Sequence, residues 1–120
     1  MRLRRAILYV KDFDRMRAFY GGTLGLKPIA ETLTEGWVEF EGGFALHAIP
    51  ASIAERIEIA SPPSRREGNP VKLSFAVDDV GFERTRLESL GVAVVARPWG
   101  GCDGVDPEGN VFGIEGMGPG

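Results

Sequence analysis

The chain has 120 residues, 43% apolar and 26% charged, which is the size and balance of one globular domain around one core. A formal charge of −3 excludes the strongly basic face of a nucleic-acid-binding domain, and no run of acidic residues marks an activation tail. A single cysteine, Cys102, excludes an intramolecular disulfide and fits a reducing compartment.

Arg2, Arg4 and Arg5 precede an apolar stretch, residues 6–10, that stops at Lys11 and Asp12. Five residues are too few for the apolar core of a signal peptide, and nothing approaches the ~20 apolar residues of a membrane span. The expected location is cytoplasmic, with no membrane partner. Residues 3–10 predict a buried strand. Asp12 then offers a helix N-cap, and Phe13, Met16, Phe19, Tyr20 and Leu24 follow at helical spacing. Gly21 and Gly22 weaken the last turns, and Gly25 is placed to end the helix. Residues 26–33, 37–41 and 44–49 predict three strands, with Glu35-Gly36 and Gly42-Gly43 as the turns between them.

The next segment, residues 51–69, reads as a linker. Ile53, Ile57 and Ile59 suit a short helix or an edge strand, and a polar, proline-rich loop follows. The first pattern then returns. Residues 71–77 predict a strand, and Asp78 and Asp79 are N-cap candidates. Val80, Leu87 and Leu90 share a helical face, and Gly91 ends the helix. Residues 92–96 predict another strand, and two more lie around Asp106-Pro107-Glu108-Gly109-Asn110. Tyr9-Val10-Lys11-Asp12 matches Ala76-Val77-Asp78-Asp79 at an offset of 67, and Leu24-Gly25-Leu26 matches Leu90-Gly91-Val92 at 66. Two matches in one order, at offsets that differ by a single residue, point to an internal repeat. The expected organisation is module 1 (residues 1–50), linker (51–69) and module 2 (70–117).

Val10-Lys11-Asp12, Ala18-Phe19-Tyr20, Leu24-Gly25-Leu26, Pro98-Trp99-Gly100 and the Asp106–Asn110 hairpin resemble the vicinal-oxygen-chelate superfamily of glyoxalase, bleomycin-resistance and extradiol-dioxygenase relatives. The resemblance covers nearly the whole chain. It implies an α+β fold in which two βαβββ modules form a curled mixed sheet around a cleft. It does not imply one activity, because this scaffold carries many. It also implies a homodimer. In metal-dependent members, one residue from the first and one from the fourth strand of each module bind a divalent cation, usually as His, Glu or Gln.

Carried onto this chain, those positions are Arg5, His47, Lys72 and Gly113. His47 alone can ligate a metal, since Arg and Lys cations offer only donors. A cation about 4 Å from another charge interacts by roughly 4 kcal/mol at an effective dielectric of 20, and toward a dication the sign is repulsive. The expected cofactor is therefore none. The alternative is one divalent metal ion in a shifted register on His47 and Glu115, with Glu39 nearby.

Two readings stand for the cations. In one, Arg5 pairs with a glutamate of a neighbouring strand and Lys72 pairs with Glu115, as structural ion pairs. In the other, Arg5 and Lys72 receive a small organic anion, since Arg binds a carboxylate through two parallel bonds. His47 is either a hydrogen-bonded wall residue or the proton acceptor beside such a ligand. Tyr9 shares a strand face with Arg5 and Ile7, and Trp37 and Trp99 add aromatic surface or pack in the core. Cys102 reads as a buried, inert thiol. The leading expectation is a metal-independent small-molecule-binding protein using Arg5, Tyr9, His47 and Lys72. The second is a metal-dependent lyase, isomerase or dioxygenase. The third, drug sequestration as in the bleomycin-resistance branch, is disfavoured because that cationic drug would meet two cations.

Overall fold

The computed structural model describes residues 1–118, and the chain divides into two compact units, Met1–Glu58 and Ile59–Gly120. In the first, β1 (Ala6–Val10) leads to Asp12, whose carboxylate accepts from the Arg15 backbone N–H at 3.2 Å and caps α1 (Phe13–Arg17). The helix widens into a π-helical turn, Ala18–Thr23, where Leu24 N–H donates to the Phe19 carbonyl at 2.8 Å. That change of register falls on Gly21 and Gly22, the pair expected to weaken these turns. Gly25, at φ 78°, ends the helix as the sequence predicts.

Residues 26–33 do not form the expected strand. Pro28 has no N–H to give and makes only an isolated bridge to Phe40, flanked by bonds from Ile29 N–H to the Glu39 carbonyl and from Glu41 N–H to the Lys27 carbonyl. Beyond it, Ala30–Thr32 turns as a 3₁₀ helix. The Thr32 hydroxyl accepts from Glu39 N–H at 3.0 Å, taking over a bond that a fourth strand would have made.

β2 (Trp37–Phe40) and β3 (Phe44–Ala48) complete a sheet of order β1-β3-β2, with β3 parallel to β1 and antiparallel to β2. One face buries Val10, Val38, Phe40, Phe44 and Leu46, and Met16, Phe19 and Tyr20 from the helix are buried too. Tyr20 meets Phe44 edge-on at 5.1 Å, and Phe44 stacks on Phe40 at 5.8 Å. Alternation puts Tyr9, His47, Trp37 and Glu39 on the opposite face. A single helical turn, α2 (Ala51–Ala54), follows β3 and decides between the two options for the segment around Ile53. The Lys11 ammonium donates to the Ile57 carbonyl.

The second unit repeats the plan. β4 (Leu73–Val77) leads to α3 (Val80–Ser89), capped by Asp79, whose carboxylate accepts from Phe82 N–H at 2.9 Å. Of the predicted helical face, Leu87 is fully buried, whereas Leu90 sits at the C-cap and is exposed. Gly91 ends the helix at φ 83°. β5 (Val94–Ala96), β6 (Cys102–Val105) and β7 (Val111–Gly116) form with β4 a sheet of order β4-β7-β6-β5, in which β7 runs parallel to β4. Thus in each unit the first strand lies parallel to the last, across the same Asp-capped crossover. The architecture is α+β, with two open mixed sheets of three and four strands. Among the described residues no helix is long and apolar enough to cross a membrane.

The hairpin 106–110 ties down part of the predicted linker. The backbone N–H of Arg66 donates to the Gly109 carbonyl at 2.9 Å, and its guanidinium Nε donates to the Glu108 carbonyl at 3.1 Å. The polar loop is thus anchored within the second unit at Arg66.

Candidate functional site

Tyr9, His47 and Trp37 stand side by side in register across β1, β3 and β2. The Tyr9 and His47 rings stack at 5.1 Å, and Trp37 meets His47 edge-on at 5.6 Å. Tyr9 is 57% exposed, so this aromatic row is open on the sheet face. Arg5, just before β1, reaches across the sheet to Glu39 on β2, with Nη2 to Oε1 at 2.7 Å. Ala45 on β3 stands opposite Glu39, and its small side chain leaves room for that crossing. The guanidinium also lies over the Trp37 ring at 5.6 Å, a contact of about 0.5–1 kcal/mol. Arg5 therefore has the glutamate partner that the structural reading expected, and its charge is balanced.

His47 is oriented by its own strand. Its Nδ1 lies 2.8 Å from the Ala48 carbonyl oxygen. A carbonyl only accepts, so Nδ1 is the donor, and in the neutral form of the ring the lone pair lies on Nε2. That nitrogen can take a proton or a hydrogen bond from a ligand.

In the second unit, the Lys72 ammonium binds Asp103 Oδ1 at 3.1 Å, not Glu115. The expected Lys72–Glu115 pair is corrected because Glu115 accepts instead from the Ser74 hydroxyl at 2.6 Å. Asp103 stands opposite Gly113 on β7, so no side chain at 113 intervenes between it and the β4 edge. Asp103 also takes Arg97 Nε at 3.4 Å on its other oxygen, and its side chain is only 4% exposed. Lys72 lies over Trp99, with Nζ 5.7 Å from the ring centroid. Sequence reasoning missed Asp103 and Arg97. The signal was there: Asp103 alternates with Cys102 in a glycine-flanked run, but the register that sets it beside Gly113 is not written in the run itself.

The implied metal site can be tested on its donors. At the four family positions stand two cations engaged by carboxylates, one glycine and His47. Among the described residues no three His, Cys, Asp or Glu side chains are grouped to hold a metal ion. This donor set does not fit a divalent cation.

Cys102 is 1% exposed, and burial pushes its thiol above the ordinary range, reinforced by Asp103 and Glu88 and opposed by Arg84. The folded protein is expected to react with a thiol reagent such as DTNB at least a hundredfold more slowly than the urea-unfolded chain at pH 8. Equal rates would contradict this placement.

Residues 3–111 match the glyoxalase-like domain family. None of the curated proteins matches the chain in sequence. Among solved structures, a protein of unknown function from Agrobacterium tumefaciens strain C58 is 27% identical, with a TM-score of 0.73, over 98% of this chain and 94% of that one. A lactoylglutathione lyase from Agrobacterium tumefaciens is also 27% identical, with a TM-score of 0.61, over 97% and 93%. An antibiotic-binding protein from a Streptomyces species is 23% identical, with a TM-score of 0.64, over 97% and 95%. With its duplicated strand–helix–strand plan, its Asp-capped helices and this match over most of its length, the chain belongs to the glyoxalase-like domain family of the vicinal-oxygen-chelate superfamily.

Proposed function

We propose that this protein is a metal-independent small-molecule-binding member of the glyoxalase and bleomycin-resistance superfamily, taking a small organic anion. The observation that carries the reading is what stands at the family's ligand positions. Arg5 and Lys72 are cations already held by Glu39 and Asp103, and each lies against a tryptophan. Neither cation can ligate a metal, and the excess positive charge where Lys72 and Arg97 share Asp103, beside Trp99, favours a flat, negatively charged organic molecule. Within the second unit, Lys72 supplies a cation and Trp99 a flat wall. Within the first, Tyr9, His47 and Trp37 form a flat aromatic row. An apolar surface with a few polar groups is the usual composition of a small-molecule site. The similarity to an antibiotic-binding protein on the same fold is consistent with a binding role. The lone free thiol and the resemblance to paired relatives suggest a cytoplasmic homodimer.

A second reading rests on the His47 tautomer. A metal-bound histidine ordinarily donates its other ring nitrogen to a carbonyl or carboxylate, as Nδ1 does here. A lyase with metal on His47 would use that arrangement but would need further ligands that the four family positions do not supply, and the similarity to a lactoylglutathione lyase gives that reading its test.

A thermal-shift screen of metal-stripped protein separates the two. At a hundred times its Kd a ligand stabilises by about 2.7 kcal/mol. Aromatic carboxylates are expected to raise Tm without metal, with the shift lost in Lys72→Ala. A shift produced by Mn²⁺, Ni²⁺ or Zn²⁺ and abolished in His47→Ala would overturn the metal-independent reading.

A further inference from the structure

We infer that the anion is recognised by Lys72 together with Arg97, a residue outside the family's ligand positions, and that the ligand is an aromatic monocarboxylate. This rests on the small-anion reading above. Two cations share one carboxylate. Lys72 takes Asp103 Oδ1 at 3.1 Å and Arg97 Nε takes Oδ2 at 3.4 Å, so the directly paired groups carry one net positive charge. Arg5, by contrast, has a carboxylate of its own and carries no such excess.

Asp103 is a positioning residue. Its side chain is 4% exposed, whereas Lys72 and Arg97 are 41% and 42% exposed. The buried carboxylate fixes the inner side of both cations and leaves their outer N–H groups toward solvent. Arg97 spends Nε on Asp103 and keeps its terminal NH₂ groups for a two-point contact with a carboxylate. Gly113 keeps the ground between them low, since a Cβ there would stand 3.2 Å from the Ser74 hydroxyl and 3.5 Å from Lys72 Cε.

Charge and shape select the class. Lys72, Arg97 and Asp103 sum to one positive charge, and Glu115, held on Ser74, adds a negative charge at the site's border that disfavours a phosphate dianion more than a monoanion. Trp99 supplies a flat wall. Its ring lies across Gly101, where an added Cβ would fall 1.9 Å from it, and it remains 56% exposed beside Lys72. A carboxylate held by Lys72 and Arg97 would carry its ring onto that indole.

Titration calorimetry of the full chain with 2-naphthoate, neutral 2-naphthamide and inorganic phosphate tests this. The expected order is naphthoate at least tenfold tighter than either. Arg97→Ala should weaken naphthoate at least tenfold and leave naphthamide within twofold, with Arg97→Lys recovering part of the loss. Undiminished naphthoate binding in Arg97→Ala, or phosphate binding tighter than naphthoate, would overturn this assignment and leave the small-anion reading standing. If the wild-type chain binds no carboxylate, that reading fails, and this one with it.

Discussion

Asp106→Ala lowers Tm by about 10–20 °C, because one buried carboxylate organises the last hairpin. Asp106 is 1% exposed. Its Oδ1 accepts from the backbone N–H groups of Glu108 and Asn110, both at 2.9 Å, and its Oδ2 accepts from the Asn110 side-chain amide at 2.9 Å. Hydrogen bonds to a charged group are worth roughly 1.5–3 kcal/mol each, and a buried donor left unpaired costs a further ~1–3 kcal/mol. Partial rescue by water brings the expected loss to about 3–4 kcal/mol, a large share of the ~5–15 kcal/mol that holds a domain together. At roughly 3–5 °C per kcal/mol for a chain of this size, the stated Tm shift follows. The loss should spread to the polar loop through Arg66. Gly109 has φ 90°, and a Cβ there would stand 2.2 Å from the Ser64 carbonyl oxygen, so the turn accepts no other residue cheaply. Thermal unfolding followed by circular dichroism checks the shift. A change below 3 °C would show that the carboxylate does not hold the hairpin.

Gly104→Ala costs about 2–3 kcal/mol, although it adds one methyl group. Gly104 pairs with Phe112 across β6 and β7, and the aromatic ring folds over the glycine. A Cβ at 104 would lie 2.4 Å from the ring Cζ and within 3.0 Å of both Cε atoms. Phe112 is 1% exposed and meets Phe75 at 6.2 Å, so its ring cannot swing away without disturbing the core. The cost should fall when the ring is trimmed. In a double-mutant cycle, Gly104→Ala with Phe112→Leu is expected to be at least 1 kcal/mol less destabilised than the sum of the single changes. Urea unfolding of the four proteins gives the comparison, and strict additivity would mean that the ring and the glycine do not touch.

Much of this fold can be read from the residues before any coordinates. The Asp caps, the glycines closing both helices and the duplicated order of elements follow from local chemistry, and each appears where the spacing puts it. The failures have local causes too. Residues 26–33 have the apolar content of a strand, but Pro28 removes a donor and Thr32 supplies a side-chain substitute, so one bridge remains. Leu90 has helical spacing but arrives where the helix is already ending.

At the site, the row Tyr9–His47–Trp37 depends on which strands are neighbours. The parallel pairing of β1 with β3 is set by the module as a whole, and no single residue announces it. Lys72 was identifiable as a misfit at a ligand position. Its partner was not, because choosing Asp103 over Glu115 requires the β6–β7 register and the Ser74 hydroxyl that engages Glu115.

If a small organic anion binds without a metal, calorimetry on one preparation will show it. The protein would be treated with EDTA, dialysed against metal-free buffer and titrated with 2-naphthoate, then titrated again after addition of one equivalent of Zn²⁺ or Mn²⁺. The same Kd within twofold is expected before and after either metal is added. Binding that appears only after metal is restored, and disappears again in His47→Ala, would contradict it.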